Sequence, residues 1–223
     1  MKREQFLGRV TAALRGADLP EATGPDTAPP IQFDDPIETF VVEAEAVAAE
    51  VTIVGSGEAA RAITAIIENT GERRYVAWDR LDDFLPGVTA SLDQAGYERV
   101  DARVAADAAE RHLDHARIGA VAVGITGADI GIAASGSVVL QHGPGRPRSA
   151  SLLVEHHIVV LPADRIVSSL GEAMQRVDLE QTSNVAVITG PSRTGDIESI
   201  ITLGVHGPRH VHVVVVETAG HMP

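Results

Sequence analysis

The chain has 223 residues, a formal net charge of −13, 44% hydrophobic and 22% charged residues, and no cysteine. The acidic balance excludes the basic stripe that a nucleic-acid binder needs to hold phosphates, and the composition is that of an ordinary globular chain rather than a disordered one. The lack of cysteine removes disulfides, thiolate zinc sites, Cys-ligated iron–sulfur clusters and a cysteine nucleophile.

In chain order, Met1 to Arg15 places Phe6, Val10, Ala13 and Leu14 on one helical face with Lys2, Arg3, Arg9 and Arg15 around it, a pattern for a helix that docks on something. Gly16 to Pro36 carries Pro20, Pro25, Pro29, Pro30 and Pro36 and reads as a tether. Residues 1–36 are therefore expected to be a docking helix and linker, 37–217 one α/β domain, and 218–223 a tail. Within the domain, a helix over Glu38–Ala49 precedes a strand at Val51–Val54. A helix over Gly57–Asn69 then precedes a strand at Arg74–Trp78. The alternation continues with a helix near Thr89–Ala95, a strand Arg99–Val104, a helix Asp107–Arg117 and a strand Gly119–Ile125.

Ile130–Ala134 and Ser137–Gln141 flank Ser135-Gly136 as in a hairpin, an antiparallel departure from a mostly parallel sheet. Further strands are expected at His157–Leu161, Val185–Thr189 and Val211–Val216, with helices near Ser169–Val177 and Asp196–Leu203. Short apolar strands alternating with helices predict a three-layer α/β fold, its sheet covered on both faces. No run is long and apolar enough to span a membrane, and Arg9 interrupts what would be a signal-peptide core, so a cytoplasmic protein is expected.

Four segments could carry chemistry. Gly55-Ser56-Gly57-Glu58-Ala59-Ala60 fits a loose dinucleotide pattern, or is a helix start with Ser56 as its cap. Gly124-Ile125-Thr126-Gly127-Ala128-Asp129 leads to Ser135-Gly136-Ser137, where bare amides and two hydroxyls could meet an anion, or simply form a turn. His142 to Ser151 is a Gly/Pro loop bearing Arg146 and Arg148, whose guanidinium forks suit a carboxylate or phosphate. Thr189 to Glu198 is expected to join a strand to a helix. Its amides after Gly190 and the helix dipole would then hold an anion beside Arg193, with Ser192, Thr194 and Asp196 around it, unless these residues only cap the helix.

Of nine histidines, His112 and His115 share a helix face and His210 and His212 a strand face. Neither pair has an evident third ligand, and no metal is expected. His157 and His206 read as groups at a site's edge, with His206 a candidate for proton transfer.

The succession Gly124–Asp129, Ser135–Leu140, Ser151–Leu153 with His157–Val160, Gly190–Glu198 and Gly204–Pro208 resembles the LUD-domain family, and within it the lactate-utilisation protein C group. The resemblance is specific from about Ile118 to Glu217 and looser back to about Pro36. It implies a fold similar to the NagB/RpiA/CoA-transferase type and action alongside two iron–sulfur partner proteins in oxidising L-lactate to pyruvate. Two positions depart from the family pattern. Ala134 stands where many relatives carry a glutamate, and a methyl group cannot form an acyl intermediate. Val154-Glu155 stands where prolines are common.

The expected protein is thus a subunit without an iron–sulfur cluster and without an intrinsic cofactor. It is expected to bind a small anionic or nucleotide-like ligand through Ser135, Gly136, Ser137, Arg148, Ser151, Ser192, Arg193, Thr194 and Asp196. The alternatives are a scaffold or regulatory protein with a degenerate pocket, and a nucleotide-dependent enzyme of CoA-transferase-like fold.

Overall fold

The computed structural model describes residues 3–15, 31–195, 201–203 and 206–217, without the side chains of 194, 195 and 201–203. Helix α1 (Arg3–Leu14) belongs to one unit and the residues from Ile31 onward to a second. Most of the linker, Asp196 and the tail lie outside the described residues.

The second unit begins with α2 (Pro36–Ala46), started by Asp35, whose Oδ1 accepts the amide protons of Ile37 and Glu38 at 2.9 Å each. Proline at the first helical position is well placed, because it lacks only an N–H that has no helical partner there. Then follow β1 (Glu50–Gly55), α3 (Ser56–Thr70), β2 (Arg74–Ala77), α4 (Val88–Gln94), β3 (Glu98–Val100), α5 (Ala108–Gly119) and β4 (Val123–Gly127). The next segment holds β5 (Ile130–Ile132), β6 (Ser137–His142), α6 (Ser149–Leu152), β7 (His156–Pro162), β8 (Ile166–Val167) and α7 (Leu170–Arg176). The last strands are β9 (Asn184–Ile188), β10 (Arg193–Gly195), β11 (Ile201–Leu203) and β12 (His210–Glu217).

Six strands form a parallel sheet in the order β1-β12-β7-β4-β2-β3. Successive residues of a strand face opposite sides, and Val213–Val216 and Ile158–Leu161 are buried without alternation, so both faces of the central strands are covered. Helix α3 buries Ala59, Ile63 and Ile67, spaced four apart along one face, against β1 and β12. No helix among the described residues is long and apolar enough to cross a membrane.

Two expectations are corrected. The antiparallel hairpin β5–β6 does form, but in a separate four-stranded sheet ordered β8-β5-β6-β9, so Val185–Thr189 also leaves the main sheet. Its own small core holds Ile130, Ile132, Val139, Val167 and Ala173. The helix expected over Asp196–Leu203 is absent at its carboxyl end, because Ile201–Leu203 pairs antiparallel with Arg193–Gly195 as a two-stranded ribbon. Pairing across the ribbon satisfies the backbone there, overriding a helical spacing of isoleucines.

Candidate functional site

The segments leaving the carboxyl ends of β2 and β3 bring Asp79 and Ala102, Arg103 and Val104 to the rim of a cavity of about 720 Å³. Its other walls are α5, through His115 and Gly119, and the Gly143–Ser149 loop with Leu152 and Leu153 of the α6 segment. This volume lies within the ~300–1,000 Å³ of small-molecule sites, and the carboxyl ends of parallel strands are where such ligands collect.

The loop is built onto the sheet by a close approach. A Cβ on Gly124 would stand 2.0 Å from the Ala150 carbonyl oxygen and 2.9 Å from Val154, so only glycine lets the α6 backbone lie on β4. Ser151, fully buried, donates its hydroxyl to the Arg148 carbonyl at 3.1 Å, and Ser149 donates to the Ala102 carbonyl at 3.5 Å across the cavity rim. Asp79 N–H donates to the Gly145 carbonyl at 2.7 Å. Ser151 therefore fixes the loop's shape.

The two loop arginines differ in their engagement. Arg146 pairs with Asp129 at 2.9 Å and lies over the rings of Trp78 (5.0 Å) and Phe84 (5.3 Å), so its charge is spent on structure. Burial, the dominant cause, pushes the His142 imidazole below its ordinary pKa, and the neighbouring Arg148 and Arg146 charges act the same way against Asp129. Among the cavity's other charges, Asp79 pairs with Arg99 at 2.8 Å and Arg103 with Asp101 at 2.8 Å. Arg148 makes no ion pair among the described residues and stands in the cavity wall as the cation without a counter-charge.

The other expected site residues gather elsewhere, and none of Ser135, Ser137, Ser192 or Arg193 lines the cavity. Ser137 Oγ is 2.8 Å from both Ser135 Oγ and Thr189 Oγ1, a chain of three hydroxyls that satisfy one another. Gly136, in the left-handed region at φ 59°, would place a Cβ 2.1 Å from the Ala44 amide nitrogen, so it seats the turn on α2. Ser192 donates its hydroxyl to the His206 carbonyl and its N–H to the Pro208 carbonyl at 2.9 Å. Arg193 Nη2 donates to the Val47 carbonyl at 2.7 Å, capping the end of α2, where a cation also answers the helix dipole. Arg193 and Thr194, expected to lead into a helix start, enter a strand instead, and the helix start expected at Asp196 lies outside the described residues. His206 is exposed, and Asp196 lies outside the described residues. Arg193→Ala is expected to lower stability by about 0.5–1 kcal/mol, read by urea unfolding, whereas an unchanged midpoint would mean the cap contributes nothing in solution.

Two further expectations are corrected by position. His157 is not at an edge but fully buried in the core, its Nε2 2.9 Å from Thr126 Oγ1. In the Gly55–Ala60 segment the cap is Gly55 rather than Ser56, and no side chain caps that helix. Asp79, Arg103 and His115 went unread as site residues. For Asp79 the available signal was position, just past the end of an expected strand; Arg103 fell inside the strand expected over Arg99–Val104, which in the structure ends at Val100.

Fold and cavity together define a parallel α/β protein that presents in a ligand-sized crevice a guanidinium unpaired among the described residues. The chain belongs to the LUD domain family, whose model matches residues 37–216. It is 29% identical to the lactate utilization protein C of Halalkalibacterium halodurans over 97% of this chain and 98% of that protein. It is 32% identical to the lactate utilization protein C of Shouchella clausii over 74% of this chain and 71% of that one. A crystal structure of a DUF162 family protein from Deinococcus radiodurans shares the fold at TM-score 0.62 and 22% identity, covering 84% of this chain and 99% of that one.

Proposed function

We propose that this protein is the subunit without an iron–sulfur cluster of a system oxidising L-lactate to pyruvate, and that it binds a small anionic or nucleotide-like ligand in the Arg148 cavity. The observation that carries the ligand assignment is Arg148 itself, a guanidinium in the wall of a 720 Å³ cavity whose neighbouring charges are already paired. Kinship to proteins named for lactate utilisation supports the pathway. The absence of cysteine fits a division of labour in which two iron–sulfur partners carry the electrons. The doubly covered parallel sheet is compatible with the three-layer NagB/RpiA/CoA-transferase type. Ala134, at the position of the family glutamate, sits on the turn after β5 with its N–H bound to the Ser168 carbonyl at 3.1 Å. Binding rather than covalent acyl transfer is the role this residue leaves open.

The test is a thermal-shift panel with L-lactate, pyruvate, CoA, acetyl-CoA, NAD and ATP. A ligand at about 100 times its Kd stabilises the fold by about 2.7 kcal/mol, a rise of roughly 5–10 °C for a chain of this size. The rise is expected with one ligand class, to vanish in Arg148→Ala and to persist in Arg193→Ala. Loss in Arg193→Ala alone would move the ligand to the Gly190–Arg193 segment. No rise with any ligand would favour a scaffold, a reading that the lost carboxylate at Ala134 supports; deleting Met1–Arg15 should then abolish partner capture.

A further inference from the structure

The amino ends of β1, β12 and β7 lie side by side at one edge of the parallel sheet, and each brings chemistry that the cavity does not use. In register, His210 pairs with His156 and His212 pairs with Glu50. Paired residues of parallel strands share a face, as do residues two apart in one strand, so these four side chains stand on the same side. The rings of His156 and His210 stack at 4.4 Å with planes 9° apart, and the His212 ring lies 5.9 Å from His156. Glu155, the residue before β7, completes the group. One ligand atom from each of Glu155, His156 and His210 lies within 4.8 Å of the others. None of these residues lines the cavity.

From this convergence we infer that Glu155, His156 and His210 form a binding site for a divalent transition-metal ion of the zinc class. Two imidazoles and a carboxylate are a donor set that suits a borderline cation. Donor atoms around tetrahedral zinc stand about 3.3 Å apart; because the two rings stack nearly parallel, one of them must turn about its Cβ–Cγ bond to aim its lone pair at a shared ion. Glu155 and His210 are exposed and His156 is partly buried, so an ion can enter from solvent and retain an open position for water or an outside oxygen ligand.

Other features of the edge fit. His156 Nδ1 and His212 Nε2 are buried and have no hydrogen-bond partner among the described residues, an unrewarded arrangement for a merely structural cluster. His212 Nδ1 lies 3.4 Å from Glu50, an acid that can orient the neighbouring ring. The competitor for the carboxylate is Arg209, whose Nη1 is 3.7 Å from Glu155 Oε1; both side chains are exposed, so the pair is readily exchanged.

The experiment uses full-length, tag-free protein stripped with a chelator, titrated with zinc chloride by calorimetry and with cobalt(II) by visible absorption. One equivalent is expected to bind, with a cobalt ligand-field band. His156→Gln, His210→Gln and Glu155→Gln are each expected to weaken zinc binding about tenfold or more, while the exposed pair variant His112→Gln/His115→Gln leaves it unchanged. Circular dichroism checks that each variant is folded, and Glu155→Gln, at an exposed position, keeps the test open should a histidine variant not fold. No zinc uptake by the native chain, equal affinity in the Glu155, His156 and His210 variants, or loss confined to the His112/His115 variant would each overturn the assignment.

Discussion

Gly124→Ala is expected to be among the most damaging single-methyl substitutions in the chain. The added carbon would lie 2.0 Å from the Ala150 carbonyl oxygen, and the nearest side-chain atom, on Val154, is only 2.9 Å away. Both neighbours are buried, and the first is backbone, so no rotamer change relieves the clash. Overpacking a core typically costs about 1–3 kcal/mol, and displacing backbone places this case at or above the upper end. At about 2–4 °C per kcal/mol for a chain of this size, the melting temperature should fall by roughly 10 °C. The same shift would push α6 off β4 and move Arg148, so ligand stabilisation should weaken with the fold. A loss under about 1 kcal/mol would show that α6 is not seated on β4 in solution. The contact also assigns this glycine of the Gly124–Asp129 segment to packing rather than to ligand approach.

Mild acid should destabilise the protein through His157. Its ring is fully buried, and burial first, then the His142 and His212 charges, push its pKa down to about 3. In the unfolded chain the same group titrates near 6.5. Between these values the unfolded state binds the extra proton, so stability rises with pH across that window and is lost as pH falls from about 6.5 toward 3. For one such group the loss between pH 7 and pH 5 is roughly 2 kcal/mol. His142, His156 and His212 are also lowered chiefly by burial and add in the same direction. Urea unfolding at the two pH values, followed through the single buried Trp78, measures the difference. His157→Gln and His157→Leu cannot ionise and should flatten the slope by that amount, whatever their absolute stability. An unchanged slope in both would show that His157 is protonated without penalty, contrary to its burial.

The elements that follow from local periodicity were legible, and the physical reason is that their determinants lie within a few residues. Asp35 and Asp107 start helices with their own side chains, accepting amides two and three residues on. Ile63 and Ile67 mark one face of α3, and the unbroken valines of Val213–Val216 mark a strand buried on both sides. The hairpin around Ser135-Gly136 was readable because the turn demands a residue tolerant of positive φ. The Arg146–Ser151 loop stood out by composition, and one of its two guanidiniums does face the cavity.

Other features depended on partners distant in sequence. Val185–Thr189 and His157–Leu161 are similar apolar runs, yet one pairs with β6 in the small sheet and the other lies at the centre of the large one. Ile201–Leu203 carries a helical spacing but becomes a strand because Arg193–Gly195 lies opposite. Arg193 looked like an anion-binding group until α2 placed the Val47 carbonyl against it. His210 and His212 lacked a third ligand in sequence, and only the register of β12 against β7 sets His156 and Glu155 beside them. By itself the sequence determined the alternating α/β elements, the family and the absence of thiol chemistry, because each is a matter of residue type and short-range spacing. Tertiary structure alone decided strand partnership, which arginine is left unpaired and which histidines converge, because these depend on contacts between segments far apart in the chain.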